Sequence, residues 1–359
     1  MTLDAHQAPV FYSEEGYAKI NDFLSSHSPS IVFILVDSNT RDLCLTLLLQ
    51  KLETSCVIEV IEMEEGEKNK NIETCTGIWK ALSELGADRK ALIINLGGGV
   101  VTDLGGFIAS TFKRGIAYIN IPTTLLSMVD ASVGGKTGVD LDNLKNQIGV
   151  ISQPEMVVID TSYLATLPAV EMRSGLAEIL KHGLIASRDY WNKATQLNKL
   201  TQEDLEDLIA ESVDIKTAVV TKDPREENLR KTLNFGHTFG HAIESFYLDH
   251  PHKKPLLHGE AVAAGMIIAA YLSNKLYSFS REDLAEVTEK LLETYSTIDI
   301  SKEDYEPILE FMKFDKKNSH GKIKFVLLKK IGEPVIDCEV PRELQIDALN
   351  YYYNFKKRK

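Results

Sequence analysis

Five short, mainly apolar runs rich in β-branched residues, four of them stopping at a turn residue, constrain this fold more than any other feature. Residues 31–36 (IVFILV) end at Asp37, residues 57–61 form a second run, and residues 91–96 (ALIINL) run straight into Gly97-Gly98-Gly99. Residues 117–121 precede Pro122 and residues 156–159 precede Asp160. Between them lie segments such as 71–85, with Ile72, Cys75, Ile78, Trp79 and Leu82 at helical spacing. Strands alternating with helices predict βαβ units around a mostly parallel sheet.

After about residue 165 the pattern changes. Residues 170–186, 203–220, 226–248, 259–276 and 281–294 all carry helical periodicity, and only 323–328 looks like a late strand. Two domains are therefore expected, an α/β domain over 1–165 and a helical one over 166–359, since 359 residues exceed one ordinary core. A hydrophobic fraction of 44% suits a globular chain, and the net charge of −12 argues against general binding to nucleic acid or a membrane surface. An anionic ligand must then be held by a local cluster of cations. Cys44, Cys56, Cys75 and Cys338 form no CxxC pair and read as structural thiols. No signal peptide and no apolar stretch of the ~20 residues a membrane helix needs is apparent, so the cytoplasm is the expected location. The basic tail, 356–359, reads as a frayed end.

The segment 95–106 (NLGGGVVTDLGG) follows a buried strand and opens a helix. Glycines there let the backbone approach a pyrophosphate, which the helix N-terminus attracts. The segment fits neither GxGxxG, because Thr102 stands at the third glycine, nor a P-loop, because no GK[ST] follows. Asp37 could bond ribose hydroxyls or cap the next helix. Asp103 could contact a cofactor or cap its own helix. Thr123 and Thr124, after Pro122, form a second polar turn on the same sheet edge, where open α/β sheets hold ligands.

Three segments bear metal-ligand chemistry. Glu178, Lys181 and His182 fall at i, i+3 and i+4 in SGLAEILKHG, so they share a helix face. His237 and His241 are one turn apart in NFGHTFGH. His258 and Glu260 begin HGEAVAAGM, where Gly259 suggests a helix start. Two imidazoles and one carboxylate leave an open coordination position, as catalytic zinc sites do. Spacing alone leaves open whether His237 or His241 is the ligand. The cations are Arg114 in FKRG, Lys136 and Lys145 beside Asn146 in a Gly-rich loop, Lys181, Lys216 among apolar neighbours, and Arg230, which is set to share a face with Asn234. In an acidic chain such cations suggest a preformed site for phosphate and carboxylate groups.

Taken in order, GGGVVTDLGGF, KRGI, PTTLLSMVDASVGGKTGVD, LKNQIG, SGLAEILKHG, LRKTLNFGHTFGHAIE and HGEAVAAGM resemble the 3-dehydroquinate synthase family over residues 30–335. The resemblance implies a Rossmann-like NAD domain followed by an all-α metal-binding domain. It implies Glu178, His237 and His258 as ligands of zinc or cobalt, with His241 on the substrate side. It implies NAD contacts at Asp37, Glu67, Lys70, Gly98, Gly99, Val100, Asp103, Thr123, Thr124 and Thr166, with Lys136 and Lys145 nearby. Asp130, Lys136, Lys145, Asn146, Lys181, Lys216, Arg230 and Asn234 match the substrate pocket, and Lys316 in FDKKN matches a late lysine. Arg114 matches a residue that reaches the substrate phosphate of a neighbouring subunit, which implies a homodimer. Leu144 and Asn228, both expected in loops, depart from the family's usual small residue and glycine.

The implied reaction converts 3-deoxy-D-arabino-heptulosonate 7-phosphate to 3-dehydroquinate and phosphate in aromatic amino acid biosynthesis. A secondary alcohol gives hydride to NAD, the new ketone acidifies the adjacent C–H, phosphate leaves, the hydride returns, the ring opens and an aldol step closes the carbocycle. Zinc then stabilises alkoxide character and Lys136 an oxyanion. The phosphate itself can take the proton, which accounts for the lack of a dedicated carboxylate base. The rival readings are another sugar phosphate cyclase, a metal-dependent polyol or glycerol-phosphate dehydrogenase on the same architecture, and a non-catalytic binding protein. VGGKTG with LKN favours the dehydroquinate synthase reading, and the dense cation set favours a doubly anionic substrate over a neutral polyol.

Overall fold

The computed structural model describes residues 7–142, 144–196, 201–314 and 323–356. The chain divides into two compact units, Met1–Met172 and Arg173–Lys359.

The first unit is built on a six-stranded parallel sheet. Its elements are β1 (Val10–Tyr12), α1 (Ser13–His27), β2 (Val32–Asp37), α2 (Ser38–Leu43), α3 (Leu45–Lys51), β3 (Ile58–Met63), α4 (Ile72–Glu84), β4 (Leu92–Gly97), α5 (Gly99–Thr111), β5 (Ala117–Pro122), a hairpin of β6 (Lys136–Leu141) and β7 (Leu144–Ile151), and β8 (Met156–Ile159). The strand order is β1-β8-β5-β4-β2-β3. Strands β2 and β4 run buried on both faces, which is why their sequences are continuous apolar runs rather than alternating ones. Phe33, Leu35, Ile93, Ile78, Leu82 and Leu104 join in one core cluster that packs α4 and α5 against the sheet. The chain steps outward from β2 to β3, then back past β2 to β4, β5 and β8. The order therefore reverses between β2 and β4, and the carboxyl ends of those strands carry Asp37 and the glycine turn.

The second unit holds α6 (Ala169–Ala186, whose first residues belong to the first unit), α7 (Arg188–Ala194), α8 (Gln202–Lys222), α9 (His237–Asp249), α10 (His258–Leu276), α11 (Arg281–Thr294), α12 (Tyr305–Phe311), a hairpin of β9 (Phe325–Lys330) and β10 (Glu333–Cys338), and α13 (Arg342–Lys356). Caps explain several starts: Thr201 and Asp204 form a capping box at α8, and Ser280 caps α11. α10 is nearly all buried, with Val262, Met266, Ile267 and Leu272 in the core.

Three expectations need correction. Residues 226–248 are not one helix. Gly236 sits at φ +78°, and residues Leu229–Asn234 form a tight three-residue-per-turn segment ahead of α9. Arg230 and Asn234 therefore do not share a helical face. The stretch with Lys136, Lys145 and Asn146 is not a Gly-rich loop but the antiparallel β6–β7 hairpin, with Lys136 paired to Ile151 and Leu144 in a strand. The late strand has an antiparallel partner, β10, whose signal is masked by Pro334, by Asp337 at φ +57° and by irregular register. Asn228, at φ −140° and ψ −98°, lies outside both the helical and the extended regions.

Candidate active site

In the first unit the expected nucleotide residues lie at carboxyl ends of parallel strands. Asp37 follows β2, Glu67 and Lys70 follow β3, Gly98 and Gly99 follow β4, Thr123 and Thr124 follow β5, and Thr166 closes the turn after β8. Asp37 does cap α2: its Oδ1 accepts from the Thr40 backbone N–H at 2.8 Å and the Thr40 hydroxyl at 2.9 Å. Gly98 is the N-cap of α5, and among the described residues no side chain caps that helix. A Cβ on Gly98 would lie 2.9 Å from Thr124 Cγ2, so only glycine leaves this turn open. Helix N-terminus and open turn together fit the phosphates of a dinucleotide. Val100 is half-buried in the first turn of α5.

Beside the turn, Lys70 is buried and donates to Asp103 Oδ2 and to Asn146 Oδ1, both at 2.7 Å. Burial disfavours its charge, but Asp103 and Glu67 outweigh that and hold its pKa above the usual lysine value. Asn146 sits at φ +53°, and its N–H donates to Asp140 Oδ1 at 2.6 Å. Lys145 lies 3.5 Å from Glu67. Lys136 is exposed at the start of β6, and Asp130 is on the single wide turn Ser127–Ala131. Arg114 is not brought to this edge. It is exposed at φ +68° beyond the far end of α5.

The second unit gathers the imidazoles. His237, His241 and His258 offer nitrogen atoms that all lie within 4.8 Å of one another. Glu178 is fully buried on α6, with its Oε1 3.5 Å from His237 Nε2 and 3.6 Å from His258 Nε2. Its Oε2 accepts from Lys181, itself 1% exposed. Oε1 has no hydrogen-bond partner among the described residues. A buried carboxylate oxygen left so costs about 1–3 kcal/mol or more. A divalent cation between these three donor atoms removes that penalty, so the set fits one. Burial pushes the Glu178 carboxyl up, but the Lys181 ammonium and the two imidazoles hold it well below the usual range. His237 Nδ1 is 3.1 Å from the Phe235 carbonyl and His258 Nδ1 is 3.4 Å from Glu244, which leaves both Nε2 atoms facing Glu178. α9 and α10 approach closely at glycines: a Cβ on Gly265 would lie 2.0 Å from the Gly236 carbonyl oxygen.

Nearby in sequence, Lys216 and Arg230 are buried cations. Arg230 donates to the Pro224 carbonyl at 2.8 Å, and Asn234 donates to Glu226 at 2.5 Å. Lys316 lies outside the described residues. His182 is buried with Nδ1 2.6 Å from the Ser212 hydroxyl, and Glu260 bonds back to the Leu257 N–H as a helix-start residue. Three acids escaped the sequence reading: Asp223, Glu226 and Glu244. Among 52 acidic residues nothing marks them except helical spacing, which sets Glu244 on the face of His237 and His241.

A doubly wound sheet with an open glycine turn, and a separate helical unit with a carboxylate–imidazole cluster, define a bipartite nucleotide-and-metal enzyme class. The 3-dehydroquinate synthase N-terminal model matches residues 60–174 and the C-terminal model residues 175–318. The chain belongs to the 3-dehydroquinate synthase family, whose members are lyases. A 3-dehydroquinate synthase of Parabacteroides distasonis is 42% identical over 337 residues, 93% of this chain and 95% of that protein. Among solved structures, the 2-epi-5-epi-valiolone synthase of Streptomyces hygroscopicus with NAD+ and Zn2+ bound is 26% identical with a TM-score of 0.86, covering 99% of both chains. A 2-deoxy-scyllo-inosose synthase is similar in fold alone, at 24% identity and TM-score 0.82 over 96% of this chain and 99% of that one. No helix among the described residues is long and apolar enough to cross a membrane.

Proposed function

We propose that this chain converts 3-deoxy-D-arabino-heptulosonate 7-phosphate to 3-dehydroquinate and phosphate, with NAD and one divalent metal ion, zinc or cobalt, as resident cofactors. The observation that carries the reading is the buried Glu178 Oε1, without a hydrogen-bond donor among the described residues and aimed at two imidazole nitrogens. Glu178, His237 and His258 would hold the metal, and two imidazoles with one carboxylate leave positions for substrate oxygens. Gly98 and Gly99 would admit the nucleotide phosphates, while Asp37, whose cap uses Oδ1, keeps Oδ2 for a ribose hydroxyl. When bound, NAD supplies a reversible hydride acceptor and the metal supplies Lewis acidity at substrate hydroxyls.

The protein's own groups then bind and orient. Lys181 holds Glu178 ionised. Lys216 and Arg230 are cations kept out of water, the state in which a charge grips an anion most strongly. Lys70 fixes Asn146, and through it the hairpin bearing Lys145 and Lys136, which would meet substrate oxygens. His241 stands beside the metal donors as a substrate-side imidazole. Arg114 would serve a neighbouring copy in a homodimer working in the cytoplasm, and its exposed place, far along α5 from the glycine turn, leaves it accessible for that.

Glu178→Gln keeps shape and loses charge. It is expected to abolish turnover together with bound metal, read by elemental analysis alongside the assay. Retention of both would reject this metal centre.

A further inference from the structure

The His258 imidazole lies between two carboxylates. Its Nε2 faces Glu178 Oε1 at 3.6 Å, and its Nδ1 faces Glu244 Oε2 at 3.4 Å. Glu244 is 6% exposed, in a stretch of α9 (Ile243, Phe246, Tyr247) that is otherwise core. Burying a carboxylate there is costly unless it serves a partner. It stands three residues beyond His241 and seven beyond His237, so all three share the helix face that looks onto the start of α10. His258 is the first residue of α10, entered from the 250–257 connection. No preceding helical turn restrains its ring, unlike a residue inside a helix. His237 has the Phe235 carbonyl on its Nδ1 for this purpose.

We infer that Glu244 is the positioning residue of the metal centre: by accepting the Nδ1 proton of His258, it fixes the tautomer and ring orientation that present Nε2 to the ion. The inference rests on the metal reading proposed above. A ligand imidazole held this way by a carboxylate loses metal affinity when the carboxylate is removed.

The test uses the full-length protein stripped of metal and titrated with Co2+, read by its visible absorption bands and by competition with a chelator, with thermal unfolding of the metal-free protein alongside. Glu244→Ala is expected to bind one Co2+ with affinity weakened by about 10–100-fold and with altered absorption bands. Glu244→Gln, which can still accept from Nδ1–H, is expected to recover part of the affinity and the wild-type bands. A purely structural role would lower the unfolding temperature of both variants and leave bands and affinity at wild-type values, and that result overturns the inference. Equal losses in Ala and Gln variants with unchanged bands overturn it as well. Failure of the wild-type protein to bind Co2+, or undiminished binding by Glu178→Gln, sinks the metal reading itself, an outcome distinct from a Glu244 effect.

Discussion

The Asp223 carboxylate accepts from three backbone N–H groups, those of Glu227 at 3.0 Å, Asn228 at 2.7 Å and Arg230 at 2.9 Å. It thereby fixes the turn that presents the Arg230 side chain. Burial raises its pKa, but the three donors outweigh burial and the net shift is downward. A depressed carboxylate pKa stabilises the fold above the unfolded value, and that contribution disappears as pH falls through the folded value. Asp223→Ala is expected to cost about 2–3 kcal/mol in urea unfolding at neutral pH, with the difference from wild type shrinking below pH 4. Lys70 offers a second case: Lys70→Ala leaves Asp103 and Asn146 without their shared ammonium, and roughly 3 kcal/mol of stability should be lost. At this scale the sequence is legible where a residue type is rare. His237, His258 and Arg230 stand out in an acidic chain. Asp223 and Glu244 do not, because their importance lies in what they accept from, and spacing carries no record of that. Asp37 shows the converse, since the cap left open by sequence is present and leaves one carboxylate oxygen over.

Among elements, the approach of α9 to α10 decides whether three imidazoles meet. Gly236 at φ +78° turns the chain into α9, and Gly265 lets the α10 backbone reach the Gly236 carbonyl. Gly265→Ala must push backbone against backbone, so it is expected to destabilise by about 1–3 kcal/mol and to weaken metal binding, measured by chelator competition. Wild-type affinity in that variant would show that the glycine contact does not set the site. Strands β2 and β4 were legible because burial on both faces makes them continuous apolar runs. The β6–β7 hairpin was not, because Gly134, Gly135, Gly138 and Gly149 read as loop. In the folded chain Gly138 and Gly149 face each other across the ladder, where a Cβ would strike the opposite backbone at 2.5 and 2.2 Å. The break ahead of α9 was hidden because 226–248 keeps helical periodicity while Asp223 takes up the N–H groups the helix would need.

For the molecule as a whole, the change from alternating to mainly helical periodicity near residue 165 is the large-scale signal. It reflects two solutions to burying apolar surface: a sheet covered by helices, and helices packed on helices. The unit built on the sheet carries an open glycine turn, and the helical unit carries the carboxylate and imidazoles. Metal removal by a chelator is expected to stop turnover, and zinc or cobalt should restore it; full activity in metal-free protein would contradict the account. On the proposed reaction, NAD is used and returned within each cycle. The most direct measurement is phosphate release from 3-deoxy-D-arabino-heptulosonate 7-phosphate with zinc and NAD far below the substrate concentration, with sedoheptulose 7-phosphate run alongside. Phosphate in large excess over NAD is expected from the first substrate only, with no accumulation of NADH. No phosphate from that substrate, or release that stops as NADH accumulates, would contradict the proposed reaction.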